Sequence, residues 1–211
     1  MNEKLQLCLN DVSNWYTGNR LVLNADKSNV MFIASNTQLR NHHSELNIML
    51  DHKKLDHCTE SKYLGLTIDN AMSWEKHISN LCKSLYMKIA QLSRAKGVLP
   101  PHLLLKVFNS TIQPCFDYGI TVWGNTTAYN LAKVQHIQNY AARVITGNFD
   151  YINNRGIDLV RSLGWMAIKQ IFLCFQSILM FKCVHGLAPD YLVNEVIMSF
   201  EMNVLTLEHM T

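Results

Sequence analysis

Three basic side chains, Lys76, Lys83 and Arg94, are spaced so that a helix brings them together. At about 100° per residue they fall within roughly 20° of one another, opposite an apolar stripe of Trp74, Ile78, Leu81, Leu85, Ile89 and Leu92. Such a rail is suited to contact with a phosphate backbone, which needs cations and no base readout; the plainer use of a charged face is solvation. A second stretch repeats the arrangement, with Leu131, Val134, Ile137, Ala141 and Ile145 inward and Lys133, His136, Tyr140 and Arg143 on another side. Other chemistries find less support. His42, His43, His52, His57 and Cys58 lie close together but match no zinc-ligand spacing, so no metal site is assigned. The six cysteines never approach Cys-x-x-Cys spacing, and neither a Ser-His-Asp nor a Cys-His arrangement is supported. Trp15, Trp74, Trp123 and Trp165 sit in apolar surroundings and are expected as core anchors.

The elements that must position these residues follow from periodicity. A first helix is expected from the recurrence of Leu5, Leu9, Val12 and Trp15 or Tyr16, ending in a left-handed cap at Gly18-Asn19. Strand-like pieces follow at 29–34, 46–50 and 55–58, the last two around the turn Asp51-His52-Lys53, and a further strand is expected over 62–68. From Ser73, read as an N-cap, the pattern becomes helical: one helix to Lys96, one from Pro100-Pro101 to Ile112, interrupted at Gln113-Pro114, and one from Thr127 to Ile145 closed by Gly147. A short helix over 158–162 and an apolar one over 167–184 complete the pattern. With 9 glycines and 4 prolines in 211 residues, a turn-rich sandwich or barrel is disfavoured. The predicted class is α+β, mostly α: a small partial sheet with helices, then a helical region. Three segments are expected, 1–73, 74–147 and 148–211. They carry 7 basic and 8 acidic, 8 and 2, and 4 and 6 side chains respectively, so the positive charge gathers in the middle one. No apolar run spans a membrane, and the start Met1-Asn2-Glu3-Lys4 does not read as a signal peptide, so no membrane partner and an intracellular location are expected.

A series of short blocks resembles one family in that family's order. Leu5-Gln6 with Trp15, then Asn19-Arg20-Leu21-Val22-Leu23-Asn24-Ala25-Asp26-Lys27-Ser28, is similar to the segment that follows the catalytic hairpin in reverse transcriptases of non-LTR (LINE-type, jockey-like) retrotransposons. Tyr63-Leu64-Gly65-Leu66-Thr67-Ile68-Asp69, with Ser73-Trp74 and His77-Ile78, resembles the primer-grip segment and the entry to the thumb. Further similar blocks are Ile112-x-Pro114, Tyr118-Gly119, Val122-Trp123-Gly124, Gln135-x-x-Gln138-Asn139-x-Ala141-x-Arg143-x-Ile145, Ser162-Leu163-Gly164-Trp165 and Gly186-x-Ala188-Pro189-x-Tyr191-Leu192. The resemblance covers residues 5 to 195. It implies the end of a palm, a thumb and a helical extension of an RNA-directed DNA polymerase. RNA template, DNA primer and an upstream polymerase half are the implied partners. It also implies Lys27 as a general acid toward the pyrophosphate leaving group and Tyr63, Leu64 and Gly65 as the primer grip; Lys76, Lys83, Arg94, Lys133 and Arg143 are expected as nucleic-acid contacts from their charge and helical faces. Magnesium is the cofactor of the intact family, and none is assigned to this chain. The alternative is a helical protein-interaction module with no nucleic-acid role.

Two-metal phosphoryl transfer needs clustered carboxylates holding two ions about 4 Å apart. In the family a Tyr-x-Asp-Asp hairpin supplies them, and this sequence has no two adjacent acidic residues. The purified chain is therefore expected to extend no primer with magnesium or manganese. Metal-dependent extension that vanishes in Lys27→Ala protein would contradict that expectation.

Overall fold

Among the described residues, extended pairing is confined to the first third of the chain, where sharp turns interrupt it every few residues. The computed structural model describes residues 2–41 and 46–195. The chain divides into two units, Met1–Ser79 and Asn80–Thr211, with the boundary inside a continuous helix. As expected, the fold is α+β and mostly α.

In the first unit, α1 (Asn2–Gly18) is followed by a short 3-10 turn (Ala25–Lys27), β1 (Asn29–Val30), α2 (Asn36–Asn41) and β2 to β6 (Met49–Leu50, Lys53–Lys54, Asp56–His57, Glu60–Tyr63, Leu66–Asp69). Among the described residues the strands make three two-stranded pairings: β1 with β4 parallel, β2 with β3 and β5 with β6 antiparallel. The strand expected over 29–34 shrinks to two residues, and the one expected over 62–68 is a hairpin that turns at Leu64-Gly65. The cap of α1 also differs. The left-handed residue is Arg20 (φ 58°), because the Leu21 N–H reaches back to the Tyr16 carbonyl and the Arg20 N–H to that of Thr17, which places the reversal one residue later than Gly18-Asn19.

The core of this unit is a cluster of Leu46, Ile48, Leu50 and Leu55, joined by Leu9, Leu23, Ala25, Val30 and Phe32. Of the stripe expected on α1, Leu9 packs there, whereas Leu5, Val12 and Trp15 are exposed. Gln6 attaches the helix differently: its side-chain amide donates to the Met49 carbonyl and accepts from the Met49 N–H, both at 2.8 Å, as a neighbouring strand would.

The linking helix is α3 (Glu75–Ala95), and the second unit continues with α4 (Pro101–Thr111), α5 (Gln113–Asp117), α6 (Ile120–Trp123), α7 (Ala128–Thr146), α8 (Gly156–Ser162) and α9 (Ile168–Val184). Pro100 precedes α4, Thr127 caps α7 by accepting from the Asn130 N–H, and Gly147 closes α7 at φ 73°. After residue 147 the chain is helical, and its helices pack onto the preceding ones: α8 lies on α7, where Leu159 and Val160 meet Ala142, and α9 lies on α6 and α7. Phe108 of α4 stacks on Trp165 with centroids 4.0 Å apart. Among the described residues no helix is long and apolar enough to cross a membrane.

Two close approaches explain glycines in this unit. A Cβ on Gly124 would lie 2.3 Å from Phe172 and 2.4 Å from the Ile120 carbonyl, and one on Gly156 would lie 2.6 Å from the Asn139 Cβ. Gly124→Ala and Gly156→Ala are each expected to lower stability by about 1–3 kcal/mol through overpacking. Gly97→Ala, where nothing lies within 4 Å, is expected to be neutral or stabilising. Thermal melts followed by circular dichroism distinguish the three, and equal melting temperatures would refute the packing account.

Candidate nucleic-acid interface

A two-residue loop between antiparallel strands needs positive φ at both positions if the strands are to keep their twist. Leu64 (φ 46°) and Gly65 (φ 85°) meet that need between paired Tyr63 and Leu66. Glycine adopts the conformation freely, whereas a left-handed leucine is strained by roughly 1–2 kcal/mol. The plain alternative, a buried strand in which Tyr63 and Leu64 pack, is overturned: their exposures are 64% and 72%. A strained turn that presents two large apolar side chains to solvent is a feature of binding surfaces more than of cores.

Three contacts fasten this hairpin to the start of α3. Asp69, the last residue of β6, accepts from the N–H groups of Ala71 (3.1 Å), Ser73 (3.0 Å) and Trp74 (2.8 Å). It acts beside Ser73, whose hydroxyl accepts from the Glu75 N–H at 3.3 Å as the expected N-cap would. Partial burial pushes the Asp69 carboxyl up, but the N–H groups of Ser73 and Trp74, the Ser73 hydroxyl and the Ala71 N–H outweigh it and hold the group below the usual carboxylate range. The same carboxylate keeps Met72 (φ 52°) and Trp74 (φ 64°) in left-handed conformations. Second, the Thr67 N–H donates to His77 Nδ1 at 3.4 Å, which fixes a neutral imidazole accepting through that nitrogen; burial holds its pKa below the usual value. Third, Lys76 Nζ lies 3.6 Å from Glu60 of β5.

Along α3, Lys76, Lys83 and Arg94 are exposed, while Trp74, Ile78, Leu85, Ile89 and Leu92 are buried and Leu81 is half-buried. The rail therefore faces solvent, its members about 10 and 16 Å apart along the axis. On α7, Lys133 sits over the Tyr129 ring at 4.3 Å and donates to Asn130 Oδ1 at 3.4 Å. Arg143 departs from the expected contact role. It is 5% exposed, and its guanidinium donates to the carbonyls of Asn148 (3.3 Å), Asp150 (3.2 Å) and Asn154 (2.7 Å) while lying over the Tyr151 ring at 4.1 Å. The reason is rotational position: it lies two residues beyond Ala141 and two before Ile145, both buried, on a helix covered from Ala141 to Ile145. Its neighbours in the same block are also internal. Gln138 Nε2 donates to the Met166 carbonyl at 2.9 Å, and Gln135 donates to Gln138 and Asn139 while accepting from the Ile168 N–H.

Lys27 is exposed at the end of the 3-10 turn, where Asn24 Oδ1 accepts from the Asp26 and Lys27 N–H groups and Asp26 pairs with Lys53. His52 lies in the left-handed turn after β2, His57 Nε2 contacts the Leu46 carbonyl at 2.8 Å, and Cys58 donates to Asn29. His42 and His43 lie outside the described residues. Among those described, no group of three metal-ligating side chains comes together. Sequence reading missed Asp69; the available signal was an acidic residue a few positions before a helix start.

No known family model and no solved structure matches the chain. Curated proteins do match. The chain is 26% identical over 157 residues to the RNA-directed DNA polymerase from mobile element jockey of Drosophila melanogaster, covering 73% of this chain and 17% of that protein. It is 29% identical over 119 residues to the probable RNA-directed DNA polymerase from transposon BS (55% of this chain, 13% of that protein) and 29% identical over 97 residues to that from transposon X-element (44% and 11%), both also of Drosophila melanogaster. The chain thus spans less than a fifth of the length of these relatives. The resemblance to jockey-like, non-LTR polymerases extends over about half to most of the chain.

Burial of His77 has a consequence for pH. Below about 6.5 the unfolded chain binds a proton that the folded imidazole refuses, so stability falls as the pH drops from neutral toward 5. The Asp69 contribution is lost only at lower pH, below the usual carboxylate value. His77→Gln protein is expected to lose the first of these slopes and keep the second. Urea melts between pH 7 and 5 measure it, and parallel slopes in parent and variant would exclude His77 as the source.

Proposed function

We propose that this chain is a template-primer binding part of an RNA-directed DNA polymerase of the non-LTR type. The observation that carries the reading is the exposed Tyr63-Leu64-Gly65 turn fastened to the first turn of α3, on which Lys76 begins a solvent-facing rail. In this reading the hairpin tip lies against the primer strand, where Gly65 permits close backbone approach and Tyr63 and Leu64 supply contact area. Lys76, Lys83 and Arg94 neutralise backbone phosphates, and Lys133 adds charge beside Tyr129. The exposed pair of Lys76 with Glu60 is weak enough to yield to a phosphate. Arg143 is left out of the contact set, because its donors are held by carbonyls. Lys27 acts on a leaving group only when another polypeptide segment supplies the carboxylates and metal ions, so polymerisation is not assigned to this chain by itself.

A second reading, the helical interaction module, has an observation of its own: Leu173, Ile178, Phe181 and Val184 of α9 are exposed. The two readings diverge in salt dependence. With about three to five phosphates neutralised, log affinity for a primed duplex falls against log salt with a slope of roughly −3 to −4. Replacing Lys76, Lys83 and Arg94 together by Gln is expected to flatten the slope by up to about 3, whereas Lys169→Gln with Lys182→Gln on α9 leaves it unchanged. Equal slopes in both variants, or no binding by the parent at low salt, would leave the interaction module as the better reading.

A further inference from the structure

Within the second unit, the part of α3 after Asn80 touches α7. The Tyr86 and Tyr140 rings meet with centroids 6.0 Å apart and planes tilted by 44°. One turn before Tyr86 on α3 and two turns before Tyr140 on α7, the Lys133 charge is felt at Cys82, where it opposes the upward push of burial on the thiol. Tyr86 is 43% exposed, and Tyr140 is half-buried beside it. The pair is tilted and not stacked face to face. Tyr86 follows Lys83 by three residues, about 60° around α3, and so lies on the flank between the cationic rail and α7. Across the contact, Lys133 stands over the neighbouring Tyr129 ring at 4.3 Å, and Tyr129 is 70% exposed. Exposed and half-buried aromatic side chains beside ammonium groups form a surface with both components of single-strand recognition: π faces for bases and cations for the phosphates that join them.

We infer that Tyr86, supported by Tyr140, is a stacking site for an unpaired nucleobase, with Lys83 and Lys133 holding adjoining phosphates. The ligand class is an unpaired nucleotide stretch, recognised without regard to base identity because every base presents a π face. A paired duplex cannot use the site, since its bases are already stacked, and it engages the rail alone. The inference rests on the nucleic-acid reading given above and adds a base-dependent contribution to a phosphate-dependent one.

The two contributions separate with an oligodeoxythymidylate and a phosphodiester of the same length built from abasic units. Both have the same phosphates, and only one has rings. Binding followed by intrinsic tyrosine and tryptophan fluorescence is expected to favour the base-bearing strand by roughly tenfold. Tyr86→Leu should abolish that preference without altering the salt slope, and Tyr86→Phe should retain it. The comparison in the parent protein needs no variant, so it stands even if Tyr86→Leu fails to fold. Equal affinity of the parent for the two strands would overturn the stacking site while leaving the phosphate reading intact. Failure to bind either strand at low salt would overturn both. A folded Tyr86→Leu protein that keeps the full preference would show that the base is held elsewhere.

Discussion

The second unit depends on a few polar side chains of α7 having been taken out of water. A buried guanidinium has five donors and no acceptor, and leaving them unpaired in a low-dielectric interior costs several kcal/mol. Arg143 resolves this by drawing three backbone carbonyls from the segment after Gly147 onto itself. That segment then has one course open to it, and Asp150 tightens it by accepting from the Ile152 and Asn153 N–H groups. Gln135 and Gln138 act in the same way on the entry to α9, through Ile168 and Met166. The close packing of Gly156 against Asn139 follows from the same arrangement, because α8 can meet α7 at that distance only where no Cβ intervenes.

A carboxylate plays the corresponding part in the first unit. Asp69 gathers N–H groups that a helix start leaves unpaired, and through them it holds two non-glycine residues in left-handed conformations. The strain at Met72 and Trp74 is tolerated because the alternative is a carboxylate without its donors. The result is a short rigid joint between β6 and α3. It sets the position of the hairpin tip relative to Lys76, and a flexible linker could not do so.

This division clarifies what the blocks of family resemblance contain. Trp123-Gly124 and the run from Gln135 to Arg143 are internal: they build the scaffold. The exposed cations of α3 lie outside those blocks, on a face whose only requirement is to remain charged and wet. A resemblance carried by scaffold residues therefore transmits architecture, while the solvent-facing charge of α3 is carried by Lys76, Lys83 and Arg94. Helix α9 is less covered than α7, since it is apolar around most of its circumference and buries only Ile168, Ile171 and Cys183.

Where a single periodicity runs for several turns, the sequence by itself determined the outcome. The stripe of α3, the extent of α7 from Thr127 to Gly147 and the opening of α4 at Pro100-Pro101 are all local consequences of helical spacing and capping chemistry. The exposed rail is the geometrical complement of that stripe and was legible for the same reason. Only the tertiary structure decided the rest. The two-residue turn at Leu64-Gly65 was hidden inside a run that reads as one strand, because a leucine in a left-handed turn contradicts its own propensity and persists only through its fastening to α3. Arg143 shares a helix with Lys133 and shares its charge, yet one is buried and the other is not. Composition does not distinguish them: which side of a helix is covered depends on the carbonyls that a later segment brings, and those contacts exist only once the chain has folded.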